Sequence, residues 1–237
     1  MGASLSIDEI SRNLNTRPYQ LHEIDCHLQT GDILLAHSDC PFSKITEWVS
    51  RCPWSHVGMI IKEPHIANGQ TLIWETTRLI EKYDITNNTY HKGVNISALK
   101  DKLAYYEGAY IAIRKLTAPK HYREHFSTVI NSLFKKYNGK AYDNNLLHMY
   151  VSLHGSFFGP PKNKEKKAYF CSELIALSYM EIGLLPKNGK PAIYYEPQDF
   201  SCASNMKLPE GCTLGLPIFI VLPHTKRIVQ NQATRIQ

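Results

Sequence analysis

The sequence predicts an α+β domain, and three observations carry that prediction. Short apolar segments with strand character recur along the chain. Amphipathic helical segments lie between and after them, and no internal repeat organises either kind. The chain has 237 residues, 43% hydrophobic and 20% charged. That is enough apolar material for one large domain with appendages and too much for a disordered chain.

Taken in order, residues 1–29 show little periodicity and read as a polar lead-in with a short helix. Gly31-Asp32 opens a strand, Ile33 to Ala36. Phe42 to Arg51 carries Phe42, Ile45, Trp48 and Val49 on one helical face, and Cys52-Pro53-Trp54-Ser55 ends it. Val57, Met59 and Ile61 alternate with His56, Gly58 and Ile60, a strand pattern. After a loop from Pro64 to Gln70, strands are expected over Thr71–Thr77, Val94–Leu99 and Ala109–Leu116. Pro119 starts a helix whose inner face holds Tyr122, Phe126, Val129, Ile130 and Leu133, and Asn138-Gly139 stops it. A short helix follows over Tyr142–Leu153, then a Gly/Pro/Lys-rich loop over Gly155–Lys167. A helix is expected from Cys171 to Gly183, then loop from Pro186 to Asp199, and a closing strand over Leu214–Leu222. Residues 30–225 thus form the domain and 226–237 a tail.

Cys171 is the most informative residue. It sits where an apolar helix begins, in Tyr169-Phe170-Cys171-Ser172-Glu173-Leu174. Open N–H groups and the helix dipole there favour a thiolate. A nucleophilic thiol needs a histidine base and a polar group to orient it. Of eleven histidines, His56 stands out, because it begins a strand and Gly58 leaves space on its own face. Glu75, inside the apolar run Leu72 to Thr76, is costly to bury unless paired. If Ile61 pairs with Thr71, His56 and Glu75 are one residue out of opposition. A one-residue slip brings them side by side on one face. The long loop between the strands leaves that register open.

Together, Gly31-Asp32-Ile33-Leu34, Ser55-His56-Val57-Gly58, Glu75, Tyr142-Asp143, Tyr169-Phe170-Cys171-Ser172-Glu173-Leu174 and Pro197-Gln198-Asp199 resemble the circularly permuted NlpC-type papain-like family. That family includes bacterial YiiX-like proteins and poxvirus relatives, and the resemblance covers most of residues 30–222. It implies a small antiparallel sheet packed on helices, with the histidine preceding the cysteine. It also implies Cys171 as nucleophile, His56 as base and Glu75 as the third polar residue. The activity implied is a thiol hydrolase or acyltransferase, working through a thioester on an amide or ester of a lipid or peptide. The Cys171 N–H is one oxyanion donor, and no second donor is identifiable. A kinship with lecithin:retinol-type acyltransferases favours lipid.

Several alternatives stand beside that reading. A non-catalytic papain-like binding module would keep the fold, although it has no need of all three residues. His121-Tyr122-Arg123-Glu124-His125 matches an inverted zinc-protease motif on a presumed single helix, but no third ligand stands out. No cofactor or metal is therefore expected. The net charge of +6 is moderate, and no basic-aromatic interleaving points to nucleic acid.

Six cysteines without a C-x-x-C pair, and no secretory signal, point to reduced thiols and a cytoplasmic location. Cys26, Cys40, Cys52, Cys202 and Cys212 read as buried or incidental, with Cys40 and Cys52 the better candidates for surface reactivity. Gly2 and Ser6 fit the N-myristoylation pattern, which places the protein in a eukaryotic cytosol, of a cell or of something infecting it. One acyl chain anchors weakly, so Lys162, Lys164, Lys166 and Lys167 are the candidate second signal for peripheral membrane association.

Overall fold

The computed structural model describes residues 18–37, 54–67, 69–104, 110–143, 168–204 and 206–222. Gly2, the expected helix over Phe42–Arg51, most of that over Tyr142–Leu153, Lys162 to Lys167, Cys40 and Cys52 lie outside them.

Nine strands are described: β1 Tyr19–Gln20, β2 Ile33–His37, β3 His56–Ile61, β4 Leu72–Asp84, β5 Thr89–Ala98, β6 Tyr110–Thr117, β7 Ala141–Tyr142, β8 Ala168–Tyr169 and β9 Thr213–Val221. Seven form one sheet in the order β1-β9-β6-β2-β3-β4-β5. All its pairs are antiparallel except β1 with β9 at the edge. The sheet is therefore larger than the small one expected. Its extra strand β1 lies in the lead-in, where two residues are too few to leave a pattern. A separate parallel ribbon joins β7 to β8 and lays Tyr142 beside Tyr169.

The sheet is buried on both faces, which explains the continuous apolar runs of its central strands. Ile33, Leu35, Met59, Ile61, Leu72 and Trp74 face a core closed by the Phe126–Tyr137 and Cys171–Ile182 helices. Leu34, Ala36, Ile60 and Ile73 face a second core with Ile24, Leu28, Leu99 and Leu103. Leu99 and Leu103 belong to a short helix, Leu99–Leu103, that follows β5 directly.

The register left open by the sequence is set with Ile61 opposite Leu72, where the connection folds into a helical turn over Pro64–Ala67. Two expectations need correction. The helix begun at Pro119 is broken into Lys120–Arg123 and Phe126–Tyr137. Tyr142 lies in a strand rather than starting a helix. The strands expected over Thr71–Thr77 and Val94–Leu99 are parts of a longer hairpin. Its pairing is interrupted between Thr77 and Lys82, and this irregularity hid its length. Asp84 holds the hairpin turn by accepting the N–H groups of Thr86 and Asn87 at 2.8 and 2.9 Å. Gly93, at φ +98°, lets β5 approach the Lys140 carbonyl. A Cβ there would lie 2.1 Å from that oxygen.

Two side-chain bonds seat the Cys171 helix on the sheet. Trp74 Nε1–H donates to Ser178 Oγ at 3.1 Å, and Tyr179 O–H donates to the Gly31 carbonyl at 2.6 Å. All three side chains are fully buried. Gly183, at φ +87°, closes the helix as expected.

Candidate active site

The site is built from the edges of three elements. Trp54 is buried and stacks on Phe219, and the Ser55 N–H donates to the Ala36 carbonyl at 3.0 Å. These contacts fix where β3 begins, and His56 is its first residue. Pairing of β3 with β4 runs from Ile61↔Leu72 to Met59↔Trp74 and stops. Continued by one step, this register sets Gly58 opposite Glu75. Residues two apart on a strand share a face, so His56, Gly58 and Glu75 all lie on one face. The slip from the expected register went one residue and made the pair diagonal neighbours rather than side-by-side ones. Gly58 keeps the space between them open. A Cβ at Gly58 would lie 2.7 Å from Ile73 Cδ1 and 3.5 Å from Glu75 Cβ.

His56 Nε2 lies 2.6 Å from Glu75 Oε2. A carboxylate only accepts, so Nε2 carries the proton and Nδ1 is left for the thiol. Glu75 is fully buried, and its other oxygen, Oε1, lies 2.6 Å from Lys102 Nζ. Lys102 stands on the Leu99–Leu103 helix and is itself buried. With Lys100 and Asp101 beside it, nothing in the local sequence marks Lys102 as buried.

Cys171 heads its helix beneath β3, where its thiol interacts with His56. Two backbone groups also aim at its sulfur, the N–H of Val57 and that of Ser172. The first follows from the ladder. Ile60 donates to Asp32 in the loop entering β2, so the even residues of β3 face that side and Val57 faces β4. The pairing with β4 ends before Val57 is reached, which leaves its N–H to the thiol. The second follows from Phe170 at the helix cap, which has no side-chain acceptor to occupy the first-turn donors. Glu173 instead accepts the Phe170 N–H, at 3.4 Å.

The electrostatics favour a charged pair. Burial pushes the Cys171 thiol up, but His56 and the Val57 and Ser172 N–H groups outweigh it and hold the thiol below its usual range. Burial pulls His56 down, yet the Cys171 sulfur and Glu75 raise it to about 9. Burial would raise Glu75, but Lys102 first and His56 second hold it down to about 2. These shifts favour the thiolate–imidazolium form of the pair, with an ionised carboxylate behind it.

The remaining motif residues have structural positions. Asp32 accepts from Leu116 N–H at 2.8 Å and Gln29 N–H at 2.9 Å, tying the entry of β2 to β6. Asp143 N–H donates to the Tyr169 carbonyl at 3.1 Å, next to the Cys171 helix. Asp199 accepts from Glu196 N–H and Lys190 Nζ at 2.8 and 2.7 Å. His121 and His125 do not share one continuous helix, because the chain breaks at Glu124 and His125. Glu124 pairs with Lys120 at 3.7 Å in solvent. Among the described residues no group of three or more His, Cys, Asp or Glu side chains is arranged to hold a metal. Of the thiols read as buried or incidental, Cys212 is buried, and Cys26 and Cys202 are exposed. No helix among the described residues is long and apolar enough to cross a membrane.

The model of the permuted papain-like amidase family of YaeF/YiiX type, C92, matches residues 27–199. The chain belongs to this family. It is accordingly a papain-like hydrolase with a mixed α and β fold, the kind of enzyme its motifs resemble. A solved structure described as metalloprotein yiiX from Escherichia coli O157:H7 is similar at 17% identity, covering 82% of this chain and 89% of that one, with a TM-score of 0.42. No curated protein matches.

Proposed function

We propose that this amidase-family chain is a cysteine-dependent acyl hydrolase or acyltransferase that works through a thioester on Cys171. The observation that carries the reading is His56 held 2.6 Å from the buried Glu75 carboxylate at the start of β3, with the Cys171 thiol at the head of its helix interacting electrostatically with that imidazole. In the first half-reaction the thiolate attacks an acyl carbon, forming the S–C bond as the carbonyl electron pair moves to oxygen. The Cys171 backbone N–H, at the helix terminus, is the donor offered to that oxyanion in this reading. Collapse expels the amine or alcohol, which takes the proton from His56. In the second half-reaction neutral His56 accepts a proton from water or another acceptor as that acceptor attacks the thioester, and the thiolate leaves. Glu75 keeps the imidazole in one tautomer throughout.

The family's amidase character makes a carboxamide the first substrate class to test, with a lipid ester second. Wild type is treated with a thiol-directed acyl probe and mapped by mass spectrometry, alongside Cys171→Ala and His56→Ala. Labelling confined to Cys171 and dependent on His56 supports the reading. Equal labelling of exposed Cys26, Cys202 and Cys171, independent of His56, leaves a papain-like binding module instead. Cys171→Ala loses on the order of a thousandfold or more in turnover.

A further inference from the structure

We propose that Lys102 is a positioning residue of this site, its ammonium holding the Glu75 carboxylate ionised and in place behind His56. The inference rests on the reading of Cys171, His56 and Glu75 as the reacting set. It starts from a cost. Glu75 sits in mid-strand with no exposed surface, between Ile73 and Thr77 and opposite Gly58 and Asn95. A carboxylate there has lost its water and needs charge-bearing partners. One oxygen is taken by His56 at 2.6 Å and the other by Lys102 at 2.6 Å.

The fold anchors Lys102 as firmly as the two residues it serves. Its helix leaves β5 without a loop, and Leu99 N–H donates at 2.9 Å to the carbonyl of Thr71, the residue before the strand that carries Glu75. Leu99 and Leu103 on either side are buried in the second core. An ammonium held this way fixes the rotamer of Glu75, and Glu75 in turn fixes the imidazole. Lys102 touches neither sulfur nor substrate, so it acts through Glu75.

Other charges face the array and must be counted. Lys82 also faces Glu75, and Asp101 faces Lys82. Lys102 repels the His56 imidazolium while attracting Glu75. Removing the Lys102 charge leaves the array one positive charge poorer, so every proton in it is held more tightly. Thiolate formation at Cys171 then moves to higher pH. A merely structural lysine would lower reactivity by one factor at all pH values and leave the midpoint alone.

The test is the rate of iodoacetamide alkylation at Cys171, resolved by peptide mass, across the pH range. Wild type is compared with Lys102→Met, Lys102→Gln, Lys102→Arg and His56→Ala. The Met and Gln variants are expected to shift the thiolate midpoint upward by about one pH unit or more, while Arg stays near wild type. The Gln variant keeps a donor toward Glu75 and carries the test if the Met variant does not fold. A midpoint unchanged in the folded neutral variants, or shifted equally in Lys102→Arg, overturns the positioning role. If wild type and His56→Ala alkylate identically, the Cys171–His56 reading fails first, whatever the lysine variants do.

Discussion

Asp32, at the entry of β2, and Glu75, within β4, are both fully buried carboxylates, yet their environments push them in opposite directions. Asp32 is surrounded by backbone donors, the N–H groups of Gln29 and Leu116. Burial outweighs these bonds and the more distant Lys115 and Arg123, so its carboxyl is raised. Glu75 faces two cations, Lys102 and His56, and is held down to about 2. Under the proposed function, the difference separates an acid kept for architecture from one kept for chemistry. Partial dipoles suffice to tie two strands together. Keeping a histidine protonated and oriented requires a full negative charge, and a full charge requires its own counter-ion.

The widest separation between the two acids is expected in turnover. Glu75→Gln keeps the size of the side chain but removes the charge that orients His56. A loss of about a hundredfold or more in kcat is expected, as for the third member of other triads. Asp32→Asn leaves kcat per folded molecule unchanged. Steady-state kinetics on whichever acyl substrate the probe experiment selects measures both. Equal losses in the two variants would erase the distinction.

Acid unfolding separates them next, and here the signs differ. Lys102 and His56 hold the folded Glu75 carboxyl down to about 2, from an ordinary value of 4.5. Its contribution is therefore present above about 4.5 and is lost as pH falls toward about 2. Asp32 is raised, so protonation favours the folded state and its contribution grows as pH falls. His56, raised from 6.5 to about 9, adds stability that is full below 6.5 and lost as pH rises through about 9. Urea midpoints across the acid range are expected to be flatter in Glu75→Gln than in wild type. In Asp32→Asn they are expected to fall more steeply as pH drops.

A smaller effect is the stability cost of Asp32→Asn at neutral pH, about 1–3 kcal/mol. One of the two backbone N–H groups loses its acceptor while remaining buried. Chemical denaturation at constant pH reads this directly.

The two acids also differ in how far the sequence revealed them. The residues of the Cys171–His56–Glu75 array were legible because each breaks a local rule: a thiol at a helix start, a histidine beside Gly58, a carboxylate in an apolar strand. Their pairing was not legible, since it depends on a register set by the turn at Pro64–Ala67 and by the fit of Ile73 over Gly58. Lys102 was hidden for a different reason. Lysines beside an aspartate on a five-residue helix look solvated, and only the tertiary fold turns one of them inward. The sheet order, with β9 inserted between β1 and β6, is likewise a long-range property that no local pattern encodes.

The smallest effect is expected where the scaffold meets the chemistry. Tyr179 lies two turns along the helix from Cys171, and its hydroxyl donates to Gly31, the residue before Asp32. It therefore belongs to the architectural side of the comparison although it shares a helix with the thiol. Tyr179→Phe keeps the ring packed edge-on to Phe200, with centroids 5.8 Å apart, and removes only the hydroxyl. The Gly31 carbonyl loses that donor, at a cost of about 1 kcal/mol. The Trp74–Ser178 bond still seats the helix beside Glu75, so the pH profile of Cys171 alkylation is expected to overlay wild type. A displaced profile would mean that the Gly31 contact, and with it the Asp32 side of the sheet, sets the thiol's position as well.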